Sequence, residues 1–299
     1  MIATKSTVKL GISELREKLS AYITLMKFRL SFLVAFSSAF GYILASQGPI
    51  DFSTLIILSI GGFLISGASI TINQIIEKDL DKLMSRTKNR PLPTNKVSVA
   101  EASLFALINA SVGLWMLLQY TNLLTASLAL LSLVAYSFMY TPLKRVGPIA
   151  VLIGAFPGAL PPLLGWVAYS GQIGAEALVL FGIQFIWQFP HFWAIAWVAD
   201  EDYKKAGFKL LPSGGGKDLK TAVQIMTYAL FLIPLGLLPL KFGITGVDSA
   251  IIATLCGALF LFQTFRLMVD CSHKSALKIM FGSFIYLPVV QIAFLLDKL

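Results

Sequence analysis

Residues 73–93 read NQIIEKDLDKLMSRTKNRPLP. Asn73, Glu77 and Asp81 stand four residues apart, so on a helix they share one stripe that drifts by about 80° over two turns. Oxygen donors of this kind suit Mg2+, which keeps several waters and bridges to phosphate. Arg86, Lys88 and Arg90 follow at once, and such cations grip phosphate oxygens. Acid and base in one stretch read as a Mg2+–diphosphate site. The plainer reading is a solvated helix end with local ion pairs; Asn73, seated inside an apolar run, favours the site.

A second stretch, HFWAIAWVADEDYKKAGFKLLP (191–212), repeats the theme. Asp200, Glu201 and Asp202 precede Lys204 and Lys205. Consecutive acids alone are more often a solvated loop, but here they recur at the same end of the chain's helices. Two acidic clusters facing each other would bind two Mg2+ ions and clamp one diphosphate. His191 lies upstream in an apolar run beside Pro190. It is read either as a functional imidazole or as a histidine bonded across helices.

These residues must be carried by membrane helices. Of the 299 residues, 57% are hydrophobic and only 13% charged, against about 25% charged in soluble domains. Nine apolar segments reach spanning length, near residues 24–46, 53–77, 99–119, 122–141, 148–170, 175–198, 221–241, 247–268 and 275–296. Each is long enough for a hydrocarbon core of roughly 30 Å, and lipid requires each to be helical. The class predicted is all-α, a polytopic bundle of nine transmembrane helices.

The net charge of +9 is explained by loops rather than by nucleic acid: 22 of the 24 Lys and Arg residues fall on one side of the nine segments. The positive-inside rule makes that side cytoplasmic, with the N-terminus inside and the C-terminus outside. Both acidic clusters then lie at the cytoplasmic mouth. The first stands at the C-terminal end of its helix, where the macrodipole disfavours negative charge, so cations must compensate. The N-terminus lacks the apolar core of a signal peptide. Residues 1–23 are read as a cytoplasmic, interfacial segment and 24–299 as one transmembrane domain. Cys256 and Cys271 show no metal-ligand spacing and imply no disulfide framework. A transporter is the alternative from another class, but its ionisable groups would sit near the midplane rather than at one face.

The motif at 73–93 resembles the first aspartate-rich motif, N-x-x-x-[DE]-x-x-x-D, of the UbiA superfamily of intramembrane prenyltransferases. Its RTKNRPL tail resembles one branch, the protohaem IX farnesyltransferases. YTPLKRVGP (140–148) resembles that branch's Tyr-x-x-x-Lys loop. GAFPGALPPLLGWVA (154–168) and WQFPHFWAIAW (187–197) resemble its fifth- and sixth-helix signatures, and KFR (27–29) its basic patch on the first helix. The likeness runs from about residue 25 to the C-terminus. Quinone-type members carry D-x-x-x-D in the second motif, where this chain has Val198 and Asp202.

The resemblance implies a reaction in which farnesyl diphosphate, haem b and water give haem O and diphosphate. The implied cofactor is Mg2+. Asn73, Glu77 and Asp81 would hold a first ion, and Asp202 with Glu201 a second. Arg29, Arg86, Lys88, Arg90, Tyr140 and Lys144 would bind the diphosphate. His191 would ligate or orient the haem iron, or act as base for the quenching water. A quinone-precursor or chlorophyllide-type acceptor is the alternative within the family. The resemblance further implies an inner (plasma) membrane location in contact with lipid. As partners it implies haem A synthase or cytochrome oxidase assembly factors, and no nucleic acid.

Overall fold

The computed structural model describes residues 3–299, with side chains from Glu14 onward except at positions 213 and 215. Helix α1 (Ala3–Leu25) precedes α2 (Phe28–Ala45), α3 (Phe52–Ile76) and a single turn α4 (Lys78–Asp81). Then come α5 (Val99–Tyr120), α6 (Leu123–Val134), a π-helical stretch Ala135–Tyr140 and the turn α7 (Thr141–Leu143). The second half holds α8 (Ile149–Ser170), α9 (Ala175–Val198), α10 (Asp200–Lys205), α11 (Pro212–Gly215), α12 (Leu219–Gly236), α13 (Leu238–Lys241), α14 (Val247–Asp270) and α15 (His273–Leu296). Among the described residues nine helical segments are long and apolar enough to cross a membrane. Lys5 and Lys9, counted above as inner cations, lie outside the described side chains.

Local chemistry fixes the boundaries. Asp51 accepts from Ser53 N and Thr54 N to start α3, and Asn122 accepts from Thr125 N to start α6. Ser98 and Glu101 form a reciprocal capping box at α5. Lys27 adopts a left-handed conformation, φ 44°, and separates α1 from α2. On one side of α1, Ala21 and Leu25 are buried against Leu92, Val97 and Ala102. On its other side the row Leu15, Leu19 and Ile23 is exposed. Lys18 pairs with Glu101 and ties α1 to α5.

The bundle closes around α8, the most buried of the spans. This helix runs unbroken through Pro157, Pro161 and Pro162. Pro161 and Pro162 lack N–H groups, so the carbonyls of Pro157 and Gly158 lose their donors within the helix. Neighbouring helices supply replacements: Ser132 Oγ donates to Pro157 O at 3.3 Å and Gln184 Nε2 to Gly158 O at 2.8 Å. In lipid such orphaned carbonyls have no water to turn to. Helices α2 and α8 also approach closely. A Cβ on Gly41 would lie 1.9 Å from the Pro162 oxygen, and one on Gly165 1.9 Å from the Ser38 oxygen.

Candidate active site

The end of α3 and its turn into α4 carry the first acidic cluster. The helix stops at Glu77 (φ −92°, ψ 7°), so Glu77 and Asp81 stand where unpaired carbonyls already make the potential negative. The compensating cations are present. Lys144 Nζ donates to Glu77 Oε1 at 2.7 Å, with both side chains buried. Arg90 Nη1 donates to both oxygens of Asp81, at 2.9 and 2.7 Å, and Asp81 is 0% exposed. Thr87 Oγ1 bonds the Asp81 carbonyl oxygen at 2.8 Å and folds the loop back over the helix end.

Asn73, buried one turn above Glu77, donates from Nδ2 to Thr141 Oγ1 at 3.0 Å. Thr141 follows the π-helical stretch and itself donates to Tyr136 O at 2.9 Å. The widened turn delivers Tyr140, Thr141 and Lys144 to the end of α3. The Lys144 ammonium lies 4.7 Å from the ring centre of Tyr140 and 5.6 Å from that of Phe208, a cation held between two aromatic faces.

The loop after α9 meets the loop after α3. Asp202 Oδ2 accepts from Arg86 N at 3.1 Å, and its Oδ1 accepts from Lys205 Nζ at 2.9 Å. The Lys205 bond and the Arg86 N–H hold its carboxyl well below the usual carboxylate range. Arg86 Nη2 reaches Tyr203 Oη at 3.1 Å, and Lys209 N donates to the Lys144 carbonyl at 2.9 Å. The loops after α3, α7 and α9 thus form one cluster at one end of the bundle.

The other candidates are spread more widely. Glu201 is exposed and makes no hydrogen bond or ion pair. Its neighbour Asp200 is buried and bonded to Lys204 at 2.8 Å and Lys217 at 3.5 Å. Lys88 and Arg29 are exposed and unpaired. Of the KFR patch it is Lys27, half-buried, that the charges of Arg90, Lys144 and Arg86 reach; burial and these like charges lower its pKa to about 7. His191 is not in the cluster. It sits in α9, seven residues before Val198, roughly 10 Å deeper along the helix at 1.5 Å per residue. Trp197, at the end of α9 where an amphipathic aromatic would ordinarily face the membrane interface, is instead fully buried.

The donor chemistry suits a hard cation in part. Asn73 Oδ1 and Glu77 Oε2 make no hydrogen bond, whereas both oxygens of Asp81 and of Asp202 are engaged by nitrogen donors. Among the described residues no three His, Cys, Asp or Glu side chains come together as a metal site. A divalent ion would therefore share the mouth with resident cations, taking oxygens the ion pairs leave over.

Nine apolar helices among the described residues, with paired acids and bases clustered at one end, make this a polytopic membrane protein. Comparison with known proteins agrees. Residues 34–287 match the model of the UbiA prenyltransferase family. A protoheme IX farnesyltransferase of Cytophaga hutchinsonii is 57% identical over 279 residues, covering 93% of this chain and 98% of that protein. Another, of Christiangramia forsetii, is 46% identical and covers 94% of each. Among solved structures, a digeranylgeranylglyceryl phosphate synthase superposes with a TM-score of 0.79 at 23% identity, covering 94% of this chain and 98% of that one. A UbiA homolog from Archaeoglobus fulgidus bound to GPP and Mg2+ gives 0.62 at 16% identity, over 92% and 99%. The chain belongs to the UbiA prenyltransferase family.

Proposed function

We propose that this chain transfers the farnesyl group of farnesyl diphosphate to the 2-vinyl group of haem b, with addition of water, giving haem O and diphosphate. The observation that carries the acceptor is the 57% identity, over 93% of the chain, to a protein named protoheme IX farnesyltransferase. The ion-paired mouth supports the donor: Lys144, Arg90, Arg86 and Lys27 are gathered where a diphosphate needs charge neutralised.

The steps follow from charge. The C1–O bond of farnesyl diphosphate breaks, and the electron pair leaves with diphosphate. Lys144 and Arg90 are poised to exchange their carboxylates for its oxygens, stabilising charge as it develops. Lys88 and Arg29, exposed and unpaired, are free to meet the outer phosphate, and Tyr140 backs Lys144. Asn73, Glu77 and Asp81 would hold a first Mg2+ and Asp202 with Glu201 a second, and the bound metal would supply charge neutralisation to the leaving group. The UbiA homolog bound to GPP and Mg2+ supports that pairing of metal and prenyl diphosphate. The bundle interior keeps water from the allylic cation until the vinyl carbon has attacked C1. The new cation, next to the porphyrin, then takes a water oxygen and loses a proton.

The charge split supports a cytoplasmic N-terminus and mouth, an outer C-terminus and the inner membrane as location. Haem A synthase or an oxidase assembly factor is the partner class this product calls for. The test is acceptor choice. Purified protein receives Mg2+, labelled farnesyl diphosphate, and equal amounts of haem b and a hydroxybenzoate-type quinone precursor. Label is expected in the haem; label in the phenolic ring would overturn the assignment.

A further inference from the structure

A cleft of about 310 Å3 opens between α1 and the loop that leads from α4 to α5. Arg16, Glu17, Ser20 and Thr24 line it from α1, and Asn89 and Lys96 from the loop. Its charges are not used elsewhere. Nearby, Lys18 is matched with Glu101, Lys82 with Asp79 and Arg90 with Asp81. Arg16, Glu17 and Lys96 are exposed and form no ion pair among the described residues, even with one another. Two cations against one carboxylate leave the lining with a net charge of +1.

The setting of the cleft limits which anion can reach it. Helix α1 finishes at the end of the bundle that carries the acidic cluster: Gln74 Nε2, near the end of α3, donates to the Leu25 carbonyl at 2.7 Å. Lys18 pairs with Glu101, and the Tyr22 and Phe105 rings pack 4.8 Å apart. Successive turns of α1 therefore pass successive turns of α5, starting from its first. Since α5 is a spanning helix, those turns lie at one face of the membrane. The exposed row Leu15, Leu19 and Ile23 follows the same line. The cleft row Arg16, Ser20 and Thr24 stands one residue on, about 100° round the helix.

We propose that the apolar row of α1 rests in lipid and that the cleft beside it is a headgroup site for an anionic phosphodiester lipid. Such a lipid brings one negative charge, which Arg16 and Lys96 grip and which balances the lining. Its acyl chains follow Leu19 and Ile23 into the hydrocarbon. Ser20 and Asn89 supply hydrogen bonds to a polyol head, and Glu17 accepts from its hydroxyls. A free phosphate monoester, with a second charge and no such hydroxyls beside it, is repelled by Glu17. Asn89 and Pro91, both in the lining, flank Arg90, the partner of Asp81. A bound lipid therefore braces the loop that carries this ion pair. The site stands on its own whichever acceptor the enzyme prenylates.

The test places the full chain in micelles holding equal amounts of phosphatidylglycerol and phosphatidylcholine, and counts retained lipids by native mass spectrometry. Wild type is expected to keep one phosphatidylglycerol in preference to phosphatidylcholine. Arg16→Gln/Lys96→Gln, at two exposed and unpaired positions, should bind it about 30-fold more weakly, each cation being worth about 5-fold. Glu17→Gln keeps an acceptor and raises the lining charge, so it should hold the lipid more tightly. Lys241→Gln, at the opposite end of the bundle, should match wild type. Excess glycerol phosphate should leave the lipid in place. In melting curves, phosphatidylglycerol should stabilise wild type relative to phosphatidylcholine, and the double variant should lose that gain. Equal retention of the two lipids, or undiminished phosphatidylglycerol binding in the double variant, would overturn the site. Displacement by glycerol phosphate would show a site for a soluble anion and would overturn the lipid.

Discussion

Replacing Arg90 by Met removes one cation and exposes the cost of the charge beneath it. Both oxygens of Asp81 are held by Arg90 Nη1 alone, and the side chain is 0% exposed. No other side chain bonds them, since Thr87 reaches only the backbone carbonyl. Removing one partner of such a buried pair costs about 3–5 kcal/mol. At roughly 2 °C per kcal/mol for a chain of this size, the melting temperature in detergent should fall by about 6–10 °C. The double variant Asp81→Asn/Arg90→Gln replaces the ion pair by an amide pair and should recover most of that loss while staying inactive. Arg90→Met melting with wild type would show that Asp81 is not a buried, singly partnered charge, and the clamp as described would fail with it.

Three further outcomes are expected. Gln184→Leu strips the donor from the Gly158 carbonyl that Pro162 orphans, and takes away a partner of Ser37 and Gln291; unfolding in detergent should show a loss of about 1–3 kcal/mol, and an unchanged protein would refute that role. Gly41→Ala drives a methyl group to within 1.9 Å of the Pro162 carbonyl oxygen, so α2 must part from α8 at about 1–3 kcal/mol or more, read as lower yield and melting temperature. Lys27, with its pKa lowered to about 7, is mostly neutral in the free protein above that pH. A bound diphosphate favours the charged form, so wild type should take up more protons on binding than Lys27→Met. That excess should vanish well below pH 7 and grow above it, with affinity falling as pH rises; calorimetry in buffers of different ionisation heat measures it.

The nine spans were legible because lipid permits few alternatives to a helix of about 20 apolar residues. The segment read at 175–198 coincides with α9, and that at 247–268 falls two residues short of α14. The need for cations at the end of α3 was equally legible, from helix polarity alone. Which cations answered it was not. Lys144 reaches Glu77 only because the π-helical stretch widens the turn before it, and no periodicity announces that. Lys27 rather than Arg29 turns toward the cluster because of one left-handed residue, Lys27 itself. Asp200 rather than Glu201 is the buried acid, since a consecutive run spreads around a helix and only packing chooses its inner face. Trp197 at the end of its span satisfied the rule for interfacial aromatics, yet it is fully buried in the bundle's core cluster. Gln184 was passed over, although three prolines in one predicted span already required donors from a neighbour.

The most direct test of the whole account is the haem itself. Purified protein is incubated with haem b and farnesyl diphosphate, with Mg2+ or with chelator, beside Asp81→Asn, and the extracted haem is weighed by mass spectrometry. The account predicts a haem heavier by one farnesyl group and one hydroxyl, formed only with Mg2+ and absent in Asp81→Asn. Unmodified haem b from wild type with Mg2+ present, or farnesylation that continues undiminished in Asp81→Asn, would contradict it.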